Sequence, residues 1–382
     1  YGLSMVTLCY LRRFVSMFSH LLGQQQADQF ALTEEVLDLF RAVDHSLKAY
    51  ESNLDDGFDA AARKQFMDEL GIAAEAYREK IYSGFSGVKH PIGRTELIEF
   101  LQRAERYCDQ SINSNQRTDG LFHSYNLINF GPDGYEVEPL IEMLEGQVAV
   151  LSCGLLSPQQ SLELLDKLPK SRMYRSDQNS YLLYPDRPQN RFLEQNIIDP
   201  ELIQGNELIQ QDLASGRGEI VEQDPLGKVH FNPRFRNAAE LESALVTEYD
   251  LPDKEVKALC DVYEAVFRHR QFTGRSGSMF KYEGLGSIYW HMVSKLLLAT
   301  AEVIEQAERT GVDQDTIDQL CLRFDDLKDG IGAHKSPEHY GAFPIDPYSH
   351  TPGFTGVQQP GMTGQVKEDF ISRFAELGVV VV

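Results

Sequence analysis

Apolar residues recur along most of this chain at the three- and four-residue spacing of a helix face. Leu11, Phe14, Val15, Phe18, Leu21 and Leu22 mark one such face and predict a buried amphipathic helix over 3–22. The same reading predicts helices over 33–50, 57–82 and 94–114, where Val36, Phe40 and Leu47, then Phe66, Leu70 and Tyr77, then Leu97, Leu101 and Tyr107 supply the stripe. Further helices are predicted at 138–153, 157–168, from 237 onward, and at 253–270, 285–309, 313–327 and 364–377. Ser157 with Pro158 and Gln160, and Asn237 with Glu240, carry the signature of helix N-termini, and Gly378 that of a stop.

The polar segments between these helices have a rhythm of their own. From the fourth helix on, long connections (115–137, 169–236, 271–284, 328–363) alternate with short ones near 154–157, 250–252 and 310–312. Short turns make antiparallel neighbours, so strict alternation gathers the long loops at one end of the helix array. The longest, 169–236, reads as a loop-rich insertion holding a short helix near 199–214 and a hairpin across Gly227. The expected fold class is all-α, a single domain over 1–382 made of helix hairpins.

Composition narrows the functional classes. The chain of 382 residues has a formal charge of −22, with 42% hydrophobic and 25% charged residues. This suits a globular protein with a sizeable core and leaves no basic surplus for a nucleic-acid backbone. Its five cysteines form no CxxC pair, which disfavours a zinc ribbon and points to free thiols in a reducing, cytoplasmic setting. Leu3–Tyr10 is too short to span a membrane. The first residue is Tyr1, already inside an apolar pattern, so both ends read as cut from a longer chain with further domains.

The long loops hold most of the unusual side chains. Arg117, Asp119, His123 and Tyr125 stand on the first; Asp177, Tyr181, Asp186 and Arg187, then Glu222, on the second. The third, with the helix after it, reads QFTGRSGSMFKYEGLGSIYWHMVSKLLLA and carries Arg275, Ser276, Tyr282, Glu283, Trp290 and His291. Lys335, Tyr340, Asp346, His350, Gln358 and Gln359 stand on the fourth. Aromatic faces beside carboxylates, amides and arginines suit a sugar, whose C–H bonds stack on rings while its hydroxyls need short polar partners. Two carboxylates across a glycosidic bond can cleave it by acid and base. Glu283 is the candidate acid, because Phe280, Tyr282 and Trp290 offer the apolar company that raises a carboxyl pKa. Asp119 or Glu222 is the candidate base, and the other residues named on the loops are expected to hold the oligosaccharide. Glu283 as a mere cap would only complement the helix dipole. No metal or cofactor is expected, since His334, His339, Asp346 and His350 match no zinc spacing and GRSGS follows a helix, not a strand.

With antiparallel helix pairs and long loops at one end, the chain resembles the (α/α)6 toroids of the six-hairpin glycosidase superfamily. YEGLGSIYWHMVSKLLLA, YGAFPIDPYSHTP and QQPGMTGQVKED are similar to segments of large bacterial proteins of that type. The resemblance implies inverting cleavage of a glycosidic bond. Hydrolysis is the first expectation, and phosphorolysis the alternative, favoured by Arg275, Ser276 and Lys335 with Thr363, which together are expected to hold inorganic phosphate. A helical carbohydrate-binding or scaffold protein without chemistry is the rival. An isoprenoid-type toroid is disfavoured by the lack of a DDxxD cluster.

Overall fold

A computed structural model describes residues 3–185, 192–249, 251–268, 288, 290–331 and 362–379. The chain divides into two compact units, one formed by 1–186 with 282–382 and the other by 187–281. The predicted loop-rich insertion of 169–236 overlaps the second of these. Among the described residues the protein is mostly helical, with fifteen α-helices and small antiparallel sheets.

The first unit begins with β1 (Leu3–Ser4) and α1 (Met5–Gly23), capped by Ser4, whose Oγ accepts from the Thr7 amide. Then come β2 (Gln29–Thr33), α2 (Glu34–Ala49), α3 (Asn53–Asp56), α4 (Ala60–Ser83), β3 (Lys89–Gly93) and α5 (Arg94–Asn113). α1 packs along α5, and α2 along α4. β2 and β3 pair antiparallel, with Phe30 opposite Ile92, and close a small apolar cluster with Leu37 and Phe40. Neither strand is visible in the hydrophobic pattern. Five residues of mixed polarity on an edge ribbon give no alternation to read.

The stretch 115–137, expected as polar loop, contains β4 (Tyr125–Phe130) and the start of β5 (Tyr135–Pro139), which form a sheet in the order β1-β4-β5. The helix expected from 138 therefore starts later, as α6 (Leu144–Ser152). α7 (Pro158–Lys167) opens with the predicted reciprocal capping box of Ser157 and Gln160. β6 (Tyr174–Arg175) and β7 (Ser180–Tyr181) make a tight hairpin after it.

The second unit holds α8 (Phe192–Gln195), α9 (Pro200–Gln204), α10 (Glu207–Ser215), β8 (Val221–Gln223), β9 (Val229–Phe231), α11 (Ala238–Thr247) and α12 (Asp253–Phe267). β8 and β9 pair across the expected turn at Gly227, and the unit's own core includes Ile209, Phe231, Leu241, Leu245, Leu259 and Tyr263. Buried Asn196 supplies both partners that the Phe231 backbone needs, its Oδ1 accepting from the amide at 2.8 Å and its Nδ2 donating to the carbonyl at 2.7 Å.

The chain returns to the first unit at Tyr282 and continues, after Ile288, as α13 (Trp290–Thr310), α14 (Gln314–Ile331) and α15 (Met362–Glu376). α13 packs against α6, α14 and α15, and its Val293, Leu296, Leu297 and Val303 lie in the main core with Leu144, Val148 and Val150. All eight residues from Leu144 to Leu151 are buried, so α6 is the central helix of this unit.

Candidate functional site at the start of α6

A helix buried on every side must satisfy its polar groups within the protein. α6 does so by gathering the two long loops that the described residues include. Ser124 of the first loop donates its Oγ–H to the Met143 carbonyl (3.1 Å) and accepts from the Gly146 amide (2.8 Å). The Leu144 amide donates to the Leu183 carbonyl of the second (2.7 Å). Gln147, fully buried, clamps the first loop by both backbone groups of Phe122, at 2.9 and 2.7 Å. A Cβ at Gly146 would lie 2.3 Å from Ser124 Oγ, so only glycine admits this approach. Leu182 forms an antiparallel bridge with Ile288, so the chain just before α13 pairs with the second long loop, and the helix expected from 285 starts only at Trp290.

A charged cluster stands on the first loop. Arg117 grips Asp119 with Nε and Nη2, at 3.1 and 2.9 Å, and Nη1 lies 3.3 Å from buried Glu142. The Arg117 contact holds the Asp119 carboxyl below the usual carboxylate range, helped by the Leu121 amide. Asp119 is thus ionised at neutral pH, and it also closes the turn at Gly120. A Cβ at Gly120 would fall 2.3 Å from Lys167 Nζ, which puts the α7 terminus against this turn. His123 Nδ1 lies 2.8 Å from the Leu140 carbonyl, which assigns the proton to Nδ1 and the lone pair to Nε2. Burial, with Arg117 adding to it, lowers the His123 pKa although the Leu140 bond opposes this. Tyr125 donates its hydroxyl to Glu145 Oε2 at 2.8 Å, in the first turn of α6.

A second cluster lies where α13 begins. His291 Nε2 is 3.6 Å from Glu368 Oε1 on α15, and Glu368 is 3% exposed. At that distance the contact is long for a hydrogen bond. Burial, reinforced by the Lys295 ammonium, outweighs the contact with Glu368 and lowers the His291 pKa. Glu368 Oε2 has no hydrogen-bond partner among the described residues. Sequence reasoning named His291 and missed Glu368. The sequence offered no signal for it: Glu368 shares the buried face of α15 with Ser372, while Phe370 and Ile371 of that helix are exposed.

The remaining candidates are dispersed or lie elsewhere. Asp177 pairs with Arg175 at the tip of the β6–β7 hairpin, which lowers its pKa, and Tyr181 is buried in β7. Glu222 belongs to the second unit, on β8, and accepts from Asn232 Nδ2 at 3.3 Å. Glu283 lies outside the described residues, as do Asp186, Arg187, Arg275, Ser276, Tyr282, Lys335, Tyr340, Asp346, His350, Gln358 and Gln359. Trp290 opens α13, but its side chain is outside them too. Among the described residues no three His, Cys, Asp or Glu side chains converge as a metal site. None of the described helices is long and apolar enough to cross a membrane.

The comparison with known families bears on the second unit. Residues 189–270 match the family model described as the GH149 phosphorylase insertion domain 2. The match falls inside the compact unit 187–281. In this segment the chain resembles an insertion domain of glycoside phosphorylases. No curated protein matches the chain.

Proposed function

We propose that the chain is part of an inverting glycoside phosphorylase whose catalytic body is an (α/α)6 toroid. The observation that carries this reading is the match of 189–270 to a phosphorylase insertion domain. It favours phosphorolysis over the hydrolysis that the acidic loops suggested first. A phosphate oxygen attacks the anomeric carbon from the face opposite the leaving group. The bond from that carbon to the glycosidic oxygen breaks, and an enzyme acid protonates the departing oxygen. The products are a sugar 1-phosphate and a glycan shortened by one unit. Glu283 is our candidate acid, with Arg275, Ser276 and Lys335 as candidate phosphate ligands. Because phosphate is itself the nucleophile, no second carboxylate is required, and Asp119 and Glu222 are left to hold their turns and strands.

Incubating the protein with glycan oligosaccharides, with and without inorganic phosphate, tests the reading. Phosphorolysis yields sugar 1-phosphate only when phosphate is present. Reducing sugar released equally without phosphate would restore the hydrolase, and binding without turnover would favour a carbohydrate-binding protein.

A further inference from the structure

Three of the five cysteines gather where α1 packs against α5 and the end of α6. Cys9 on α1, Cys108 on α5 and Cys153 closing α6 are buried, in contrast to half-covered Cys260 and exposed Cys321. Each thiol of the Cys9–Cys153 pair has the other as its strongest partner. The Cys9 S–H donates to the Cys153 sulfur, and the Cys153 S–H goes on to the Val150 carbonyl at 3.1 Å. Cys108 stands near the pair, and burial pushes its thiol up to about 11.

A fixed positive charge lies beside this pair. Arg12 Nη1 donates to the Cys153 carbonyl at 2.9 Å, while Nε and Nη2 reach Asp109 at 2.8 Å and Glu105 at 3.0 Å. Gly154, at φ 76°, turns the chain just past Cys153 and leaves room for the guanidinium, since a Cβ there would stand 3.3 Å from Nη1. The two thiols are thereby made unequal. Donation from Cys9, helped by the Leu155 amide and Arg12, holds the Cys153 thiol below the usual range against its burial. The same bond, with burial, pushes the Cys9 thiol up. Cys153 is therefore the nucleophile of the pair and Cys9 the partner that keeps its proton. Asp109 in turn lines a surface cleft with Arg106 and Gln110, so the Arg12 side of the pair leads towards solvent.

We propose that hydrogen peroxide closes Cys9 and Cys153 into a reversible disulfide, which latches α1 to the end of α6. Peroxide is hardly larger than water and enters along the Arg12–Asp109 side. The Cys153 thiolate attacks one peroxide oxygen, the O–O bond breaks, and hydroxide leaves as water with the proton that Cys153 gave up. The Cys9 sulfur then attacks the sulfur of the sulfenic acid. Its S–O bond breaks, and the hydroxyl departs as a second water with the Cys9 proton. Two electrons pass from the two sulfurs to the peroxide. The exposed thiol is the poorer target. Burial raises the Cys321 pKa, and Asp325, Glu308 and Asp318 raise it further, so it holds little thiolate. Because the bond ties together residues distant in sequence, it also stabilises the folded chain against the unfolded one. In a reducing compartment such a bond is a transient mark of oxidation and not a permanent brace.

The inference holds whichever reaction the protein performs. In the test, the folded full chain is treated with a small excess of hydrogen peroxide, quenched, unfolded in an alkylating reagent and digested for peptide mass mapping. We expect one pair of peptides joined through Cys9 and Cys153, lost on treatment with dithiothreitol, with Cys108, Cys260 and Cys321 alkylated. The oxidised protein melts several degrees higher and returns to the starting value on reduction. Glutathione disulfide, too bulky to reach the pair, produces no such cross-link. Cys108→Ser keeps the cross-link, and Cys9→Ser stops at a Cys153 sulfenic acid that dimedone traps. The mapping of the wild type decides even if a variant fails to fold. Oxidation of Cys321 while Cys9 and Cys153 remain alkylated overturns the proposal. So does a cross-link through Cys108, one that forms only after unfolding, or one that leaves the melting unchanged.

Discussion

Asp119 shows how one contact can settle what a carboxylate does. Its charge is already matched by Arg117, and its second oxygen also serves the turn. A base for water would need that charge uncommitted. Under phosphorolysis, Asp119→Asn should leave turnover within about threefold of wild type, whereas a hydrolase using it as base would lose about 10²–10⁴; steady-state rates decide. The same pair has a pH signature. Because the folded pKa of Asp119 is depressed, its stabilisation is present above the unfolded value of about 3.9 and is lost as pH falls through the folded one. Thermal melts from pH 5 down to 2 should therefore fall less steeply in the variant. Glu283→Gln keeps size and hydrogen bonding but removes a proton donor. We expect it to lower turnover by about 10²–10⁴ with little change in melting temperature. A variant that loses chiefly stability would make Glu283 a cap and move the search for the acid to another loop.

At the level of elements, α6 is the joint on which the described loops hang. Gln147→Leu would strand both backbone groups of Phe122 in a dry interior, at a cost of about 1–3 kcal/mol. Gly146→Ala would drive a methyl into Ser124 and cost about the same by overpacking. Denaturant melts should show both losses, and the double variant should lose less than the sum, since both act on one loop. Several helices were legible beforehand from an apolar stripe and their caps: α2, α5 and α7 lie within a residue or two of their predicted spans, whereas in α1 only Val15 and Leu22 of the face expected to be buried are so, and Leu11, Phe14, Phe18 and Leu21 are exposed. β2, β3, β6 and β7 were not, being two to five residues long and paired across 60 positions or across a tight turn that periodicity cannot see. The site was legible only as a set of loops. That Ser124, Leu183 and Gln147 meet at one helix start depends on long-range pairing, and no local pattern records it. Glu368 was hidden for a related reason. Its burial is set by α13, not by its own neighbours in sequence.

Across the whole molecule, the chain leaves the first unit near Asp186 and re-enters it at Tyr282. Just inside those points Leu182 and Ile288 pair as strand neighbours. The first unit itself thus holds the chain side by side at Leu182, before the excursion, and at Ile288, after it, a geometry that tolerates insertion. Replacing 187–281 with a short glycine-serine linker should therefore leave the first unit folded, with its cooperative melt and amide protection intact. Collapse of the shortened chain would show that the second unit is needed to hold the first. The pairing also carries an entropic consequence. Closing a floppy loop of about a hundred residues costs roughly 4 kcal/mol beyond a constant, whereas a segment that has already folded with its ends together brings them to each other for much less. Folding of 187–281 on its own core would therefore lower the cost of closing the Leu182–Ile288 bridge.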